Sequence, residues 1–528
     1  MLFWTCAQSL NEYASGDEPD GFFWEEDVIL LTLIHALIVL WLAIYGLNSF
    51  VLAFLYLRHR RANLPTPPVD RSALPTVTVQ VPVYNELHVI ERVIDAVAKL
   101  DYPRDRLHIQ ILDDSTDETT RLAQERVGLH RKQGTDIAVL RRHDRDGFKP
   151  GALAWGLAQA DGEYVAVFDA DFCPHPDFLL QTIPYFVGRP RLGLVQTRWS
   201  HLNADYSPLT RAQTLALDGH FIVEQTGRHR SGLLVSSNGT AGVWRRRCIE
   251  ESGGWQSDTL CEDLDLSYRA HLAGWECLYL PTVDAPAEVP PQIAAFKQQQ
   301  SRWAQGSMQA LRKLAGPILR SRRLRWTQKA MALVHMSSYL AHALMVVLLL
   351  VSLPLLLVPN SAVISSSGLG LMCLGPMLVY AIAQQRLHPD WGRRLWVLPL
   401  LMLVGIGIAW GNTRAVWRGL TRWGGTFART PKFRLEGKAG RWASSSYRLR
   451  PDSSIVGEVM LGLYALATAC VACILGRYEM IPFLILYAAA FGTVAGMGLA
   501  QGTRPRRRSP QSAPGLETAS RERQQDEE

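Results

Sequence analysis

Apolar runs near or beyond the roughly 20 residues needed to cross a bilayer stand at both ends of this 528-residue chain, with a long polar stretch between them. A chain so divided folds as membrane helices bracketing a water-facing domain. Whole-chain averages of 48% hydrophobic and 20% charged residues conceal the division, because they describe neither part. The first run, 28–57, ends at Arg58, His59, Arg60 and Arg61, whereas residues 1–27 hold seven acids and no Lys or Arg. That is the reverse of a cleaved signal peptide, and the positive-inside rule places the far end of the helix in the cytoplasm. The sequence therefore predicts an outward-facing acidic amino terminus over 1–27, a transmembrane helix over 28–57, a Pro-rich linker over 64–75 and a cytoplasmic domain over 66–312.

Beyond that domain, 313–338 is expected as an interfacial helix, 339–384 and 455–500 as transmembrane pairs, and 501–528 as a cytoplasmic tail. The apolar stretch 395–410 has Arg386, Arg393 and Arg394 on one side and Arg414 and Arg418 on the other. One crossing cannot keep both flanks inside, so 395–450 reads as a re-entrant or interfacial segment followed by a loop, leaving five true spans in an inner cell membrane. Residues 412–450 hold ten basic residues and one acid, with Trp417 and Trp423 among Arg414, Arg418 and Arg422. Such a segment suits a lipid headgroup surface or a generic basic juxtamembrane loop. Nucleic acid is not an expected partner. The eight cysteines show no repeated metal-ligand spacing, and the single C-x-x-C, Cys470 and Cys473, lies inside an apolar run where packing is the better reading.

From Thr76 onward, short β-branched runs alternate with helical stretches: strands over 76–83, 108–112, 137–140, 163–168 and 192–197, with helices over 87–100 and 118–132. This is the α/β pattern. It predicts an open, mostly parallel sheet with helices on both faces and ligands at the carboxyl ends of the strands. Acids gather there: Asp113 and Asp114 close one strand, Asp169 and Asp171 another, and Glu262, Asp263 and Asp265 follow the turn at Gly253 and Gly254. Any one pair reads equally as a solvated loop cap, but three clusters converging on one edge are harder to dismiss. A hard divalent cation held by one or two carboxylates keeps positions open for substrate phosphates, which suits Asp169 and Asp171. No P-loop or dinucleotide fingerprint is present. Lys149 and Arg302 are the candidate phosphate partners, with surface helix positions as the alternative.

Val81, Pro82, Val83, Tyr84, Asn85 and Glu86, then Asp113 with Asp114, Asp169 with Asp171, Glu262 with Asp263, and Gln299, Arg302 and Trp303 resemble the ordered motifs of membrane-embedded family-2 glycosyltransferases. The stretch 238–245 and Asp265, Leu266, Arg269, Ala270, Gly274 and Trp275 are similar to the cellulose synthase-like glucan and mannan synthases. The resemblance implies a nucleotide-sugar domain of the GT-A type inserted between transmembrane helices, inverting chemistry, and Mg or Mn as the divalent cation. It implies that Asp113 binds the nucleoside, that Lys149 contacts uracil or the diphosphate, and that Asp169 and Asp171 hold metal and diphosphate. By the same resemblance Asp263, beside Glu262, is the general base, Arg302 meets the leaving diphosphate, and Gln299 and Trp303 face the acceptor. Phe427, Thr430 and Lys432 resemble a gating loop over the nucleotide, with Thr430 and Lys432 as donor contacts. Two positions depart from the pattern: Arg429 stands where Val is usual, and Cys261 where Thr precedes the acids. No fused regulatory barrel is expected after residue 500, where Arg504 and Arg508 read as chance.

The expected activity is a hexosyltransferase moving units from a nucleotide sugar, UDP-glucose or GDP-mannose, to a growing β-glycan passed out through the membrane helices, with export-complex partners a further expectation. A membrane enzyme making a glycosyl lipid shares the same acid motifs and stands as the alternative. A non-catalytic subunit of an export complex is the reading from a different class, opposed by the intact acids.

Overall fold

The computed structural model describes residues 25–61, 65, 67–358, 372 and 374–502. Its centre is a seven-stranded sheet, β1 (Val77–Val83), β2 (Leu107–Asp113), β3 (Ile137–Leu140), β4 (Tyr164–Val167), β5 (Leu192–His201), β6 (Gly242–Arg245) and β7 (Glu276–Ala287), in the order β3-β2-β1-β4-β6-β5-β7. β1 pairs in parallel with β2 and β4, β2 with β3, and β5 with β7, whereas β6 runs antiparallel to both β4 and β5. The sheet is therefore mixed, with β6 alone reversed. β1 and β2 are buried along nearly their whole length and β4 throughout, polar Thr78, Gln80 and Gln110 included, as expected for a sheet covered on both faces.

One face packs Val79, Val81, Ile109 and Ala166 against Ile90, Val93, Ile94 and Val97 of the helix Ile90–Ala98. The apolar residues of that helix recur at three- and four-residue spacing, so one stripe meets the sheet. The other face packs Leu112, Val165, Val167 and Trp244 against Leu153 of the helix Phe148–Ala158 and Leu266 of the helix Glu262–Ala273. Burial at these positions contributes roughly 1.5–3 kcal/mol for each large side chain.

The reversed strand decides which segments meet at one edge of the sheet. Six strands present their carboxyl ends there and β6 presents its amino end, so the residues before Gly242 join those after Val83, Asp113, Val167, His201 and Ala287. The described residues contain four non-glycine positions with positive φ, Asn85 (54°), Phe148 (51°), Ala241 (51°) and Arg434 (56°). Asn85 and Ala241 lie at this edge, and Phe148 and Arg434 belong to segments that cover it. Such backbone strain concentrates where a site over-determines its loops.

Among the described residues, three helices are long and apolar enough to cross a membrane, Ile29–His59, Ser454–Ile474 and Tyr478–Gly502. Two bent pairs qualify only as units: Trp326–Met336 with Leu340–Leu356, at 62°, and Trp391–Gly407 with Ala409–Thr421, at 45°. The second pair contains the apolar stretch with two basic flanks. Residues 313–338 are divided between the end of the long helix Ile293–Arg320 and the helix Trp326–Met336. Within 339–384 the described helices are Leu340–Leu356 and the start of Leu374–Leu387. Residues 359–371 and 373, like 1–24 and 503–528, lie outside the described residues.

The domain is fastened to the membrane helices by buried charge. Lys297 Nζ, on the long helix, lies 2.5 Å from Glu458 Oε1 and 3.1 Å from Asp452 Oδ1. Glu458, inside the apolar helix Ser454–Ile474, is fully buried.

Candidate active site

Asp169 and Asp171 follow β4, where its buried Val167 leaves the sheet. The chain holds their backbone in place with side chains from the neighbouring β6 lead: Asp169 N donates to Thr240 Oγ1 at 2.9 Å. Lys149, at the start of the helix Phe148–Ala158, reaches across and donates from Nζ to Asp169 Oδ1 at 2.7 Å and to the Gly239 carbonyl at 2.9 Å. The same ammonium lies 3.4 Å from Glu262 Oε1. Burial alone would depress the Lys149 ammonium, yet Asp169 and Glu262 hold it above its ordinary value.

Asp263 sits in the first turn of the helix Glu262–Ala273, where Oδ1 accepts from Leu264 N at 2.8 Å. A Cβ placed on Gly239 would fall 3.0 Å from Asp263 Oδ2 and 3.5 Å from Lys149 Nζ. Gly239 also has φ of +79°. This position therefore favours glycine by conformation, and an added Cβ would press on the Asp263 carboxylate. Burial and the adjacent Glu262 carboxylate push the Asp263 carboxyl up to about 7, against the pull of Lys149, the Leu264 N–H and Arg302. An acid poised there exchanges a proton near neutrality.

Asp171 belongs to a second cluster. Its Oδ2 accepts from Lys432 Nζ at 2.7 Å and from Glu288 N at 3.2 Å. Glu288, immediately after β7, is 1% exposed in its side chain, pairs with Arg92 at 2.6 Å, and accepts from Phe433 N at 3.1 Å. Burial raises the Glu288 carboxyl while Arg92 opposes it. Glu86, after β1, is pushed up to about 8 by burial against the opposing pull of Arg429 and Lys432; Arg429 lies 3.3 Å away.

Asp113 belongs to neither cluster. Its Oδ1 accepts from Ser115 N at 2.9 Å, its Oδ2 accepts from Thr120 Oγ1 at 2.7 Å, and Arg141 stands 3.7 Å away. Asp114 next to it takes two bonds from Arg142, at 2.8 and 2.7 Å. Arg145 lies 3.3 Å above the Tyr84 ring, a stack with one flat cationic face.

The stretch 75–306 matches the family described as Glycosyltransferase like family 2. Over those residues the chain is similar to the family-2 glycosyltransferases. A probable glucomannan 4-beta-mannosyltransferase 6 of Oryza sativa subsp. japonica is 43% identical over 266 residues, 49% of this chain and 46% of the relative. Glucomannan 4-beta-mannosyltransferase 7 of Arabidopsis thaliana is 42% identical over 254 residues, 47% of this chain and 46% of the relative. The chain thus spans about half the length of the curated relatives it matches. Among solved structures, a mannosyltransferase from Pyrobaculum calidifontis in complex with GDP-Man and Mn2+ overlaps 74% of this chain and 99% of its own, with a TM-score of 0.49 and 20% identity.

The matched stretch ends inside the helix Ile293–Arg320, which bears Gln299, Arg302 and Trp303. Arg302 stacks 4.4 Å above the Phe427 ring, and its charge acts on Asp263. Trp303 packs partly against Leu264, Leu314 and Met336, and its carbonyl faces Cys261 Sγ at 3.8 Å. Gln299 lies one turn earlier on that helix and is partly exposed. The loop after Thr421 is drawn over the acid-lined edge: Gln298 Nε2 donates to the Arg429 carbonyl at 2.7 Å, and Thr430 is buried with its Oγ1 unbonded.

The two departures from the family pattern now have surroundings. Arg429 pairs with Glu86 and stacks 4.1 Å over Tyr447, tying the loop to the end of β1. Cys261 is buried against Gly306, where an added Cβ would lie 2.7 Å from the Cys261 nitrogen, so the position before the acids is filled by close backbone contact. Arg92, Glu288 and Arg145 stand outside the residues expected from sequence, and Gly239 enters there only as part of the stretch 238–245. Glu288 has a signal in hindsight, an acid inside the apolar, Pro-rich stretch that ends β7. Arg92 has none, since a charge on an amphipathic helix is ordinary.

Proposed function

We propose that the chain is an inverting hexosyltransferase that moves units from a nucleotide sugar to a growing β-linked glycan, with a GDP-hexose the leading donor. The observation that supports it most is the meeting of Lys149, Asp169, Glu262 and Asp263 around Gly239, beneath a loop that comes from between the membrane helices. The names of the two relatives above, both glucomannan 4-beta-mannosyltransferases, favour GDP-mannose over UDP-glucose.

In this reading Asp263 takes the proton of an acceptor hydroxyl as that oxygen attacks the anomeric carbon from the side opposite the nucleotide, inverting the configuration in one displacement. Lys149 and Arg302 balance negative charge on the departing diphosphate. The Tyr84 and Arg145 stack and Asp113 receive the nucleoside, while Gln299 and Trp303 meet the acceptor sugar, whose C–H faces suit an indole. Thr430 and Lys432 close over the donor.

Asp169 and Asp171 offer the hard oxygen donors that Mg or Mn requires, and two carboxylates leave room for phosphate oxygens. Among the described residues no group of three or more His, Cys, Asp or Glu forms a site by itself, which fits a cation completed by its substrate. That cation would supply charge neutralisation to the diphosphate. The domain is assigned to the cytoplasmic side of an inner membrane, and the glycan leaves between the membrane helices, with an export-complex partner outside.

Membranes containing the full chain, incubated with separately labelled GDP-mannose, GDP-glucose and UDP-glucose, test the proposal. Label from a GDP-hexose in an insoluble glycan, released by a β-mannanase or β-glucanase, is the expected outcome. Label extracted into organic solvent favours the glycosyl-lipid reading, and no incorporation from any donor overturns the enzyme.

A further inference from the structure

Away from the acid-lined edge, an open cavity of about 630 Å³ lies where the glycosyltransferase domain meets the membrane-side helices. Asp205 and Arg211 line it from the domain, at the start of the helix Pro208–Asp218. Asp390, Arg393, Arg394 and Trp396 line it from the turn that leads into the apolar helix Leu398–Gly407. The two acids are already matched: Arg211 Nε lies 3.1 Å from Asp205 Oδ1, and Arg394 Nε lies 3.1 Å from Asp390 Oδ1. Each of those guanidiniums keeps further N–H donors. Arg393 is exposed and, among the described residues, its side chain makes no ion pair or hydrogen bond. The local balance is therefore one cation in excess, at Arg393. Trp396 beside it is 86% exposed, an unusual position for an indole in water and an ordinary one at the boundary between headgroups and acyl chains.

We propose that this cavity binds the phosphodiester headgroup of an anionic phospholipid. Arg393 supplies the uncompensated charge, Arg211 and Arg394 add N–H donors to the phosphate oxygens, and Trp396 lies at the glycerol level. A lipid fits better than free phosphate because the basic wall continues into an apolar helix, and basic pockets between membrane helices take anionic headgroups in this manner. The site rests on the membrane placement of these helices and not on the sugar chemistry. It gives the domain a contact with the leaflet that is separate from the acid-lined edge.

The test is native mass spectrometry of the full-length protein released from detergent, titrated with phosphatidylglycerol, with phosphatidylcholine of the same acyl chains, and with inorganic phosphate. Retention of phosphatidylglycerol at concentrations where phosphatidylcholine is lost is expected. Arg393→Gln should weaken phosphatidylglycerol retention roughly five- to tenfold, Arg393→Lys should recover part of it, and Arg131→Gln on the distant face of the domain should change nothing. Equal retention of the two lipids, unchanged retention in Arg393→Gln, or binding of inorganic phosphate without lipid would each overturn the assignment. Donor-sugar turnover is scored separately, so failure of the lipid site is distinguishable from failure of the proposed activity.

Discussion

Lys432 Nζ lies 2.7 Å from Asp171 Oδ2 although 261 residues separate the two in the chain. The loop between membrane segments therefore places its own cation on one of the two carboxylates proposed to serve a metal. Asp169 is likewise bonded by Lys149. Both acids are charge-balanced by the protein itself, so the proposed divalent ion would compete with ammonium groups for them.

The first prediction concerns that competition. Removing the ammonium in Lys432→Gln should tighten Mn2+ binding in the absence of nucleotide by roughly tenfold, because the carboxylate no longer has to surrender a charge-assisted bond. Electron paramagnetic resonance of free Mn2+ reads this directly. An unchanged dissociation constant removes Lys432 from the cation's surroundings.

Asp263→Asn should lower turnover by roughly 10²–10⁴-fold, the usual worth of a positioned base, while the donor still binds. Isothermal titration with the nucleotide, alongside a radiolabel transfer assay, separates the two effects. Retained turnover eliminates Asp263 as the base.

The pH dependence follows from the carboxyl pushed up to about 7. A base acts as the carboxylate, so kcat/KM should climb as pH rises toward and through 7 and then level off, and the limb should vanish in Asp263→Asn. Stability runs the other way. Because the folded value lies above the ordinary 3.8, the folded state binds the proton more tightly than the unfolded one; this contribution is full below about 3.8 and is lost as pH rises through about 7. A rate profile flat from pH 5.5 to 8 contradicts the assignment.

Arg92 bridges Glu288, 1% exposed, and Glu436, 56% exposed. Arg92→Met leaves Glu288 charged, buried and unpaired, a change that costs about 3–5 kcal/mol. Glu436→Gln at the exposed partner should cost about 1 kcal/mol or less. Chemical denaturation of the full chain followed by tryptophan fluorescence compares them, and similar losses would show that the Glu288 pair is not the anchor it resembles.

The sequence made the parallel half of the sheet legible because β1, β2, β3 and β4 are short β-branched runs separated by amphipathic helices, and their predicted limits fall within a residue or two of the observed ones. β6 and β7 escaped prediction for physical reasons. β6 is only four residues and begins with Gly, while β7 contains Pro281, Asp284 and Pro286 and shifts register against β5 between Thr197 and Arg198. Neither has alternation to read. The acids of the candidate site were visible as strand endings, but their partners were not: Lys149 to Gly239 spans 90 residues, and Arg429 to Glu86 spans more than 340. Pairings of that reach depend on the reversed strand and on the returning loop, which no local pattern encodes.

The ammonium of Lys297 and the carboxylate of Glu458 bind the long helix at the domain's edge to a bilayer helix inside a space closed to water. Separating the two would leave Lys297 without either of its acids and Glu458 without its cation. Excised for assay in buffer, the domain would carry a cation whose partners stay behind with the apolar helix, so the helix bearing Gln299, Arg302 and Trp303 shares one buried contact with the membrane part.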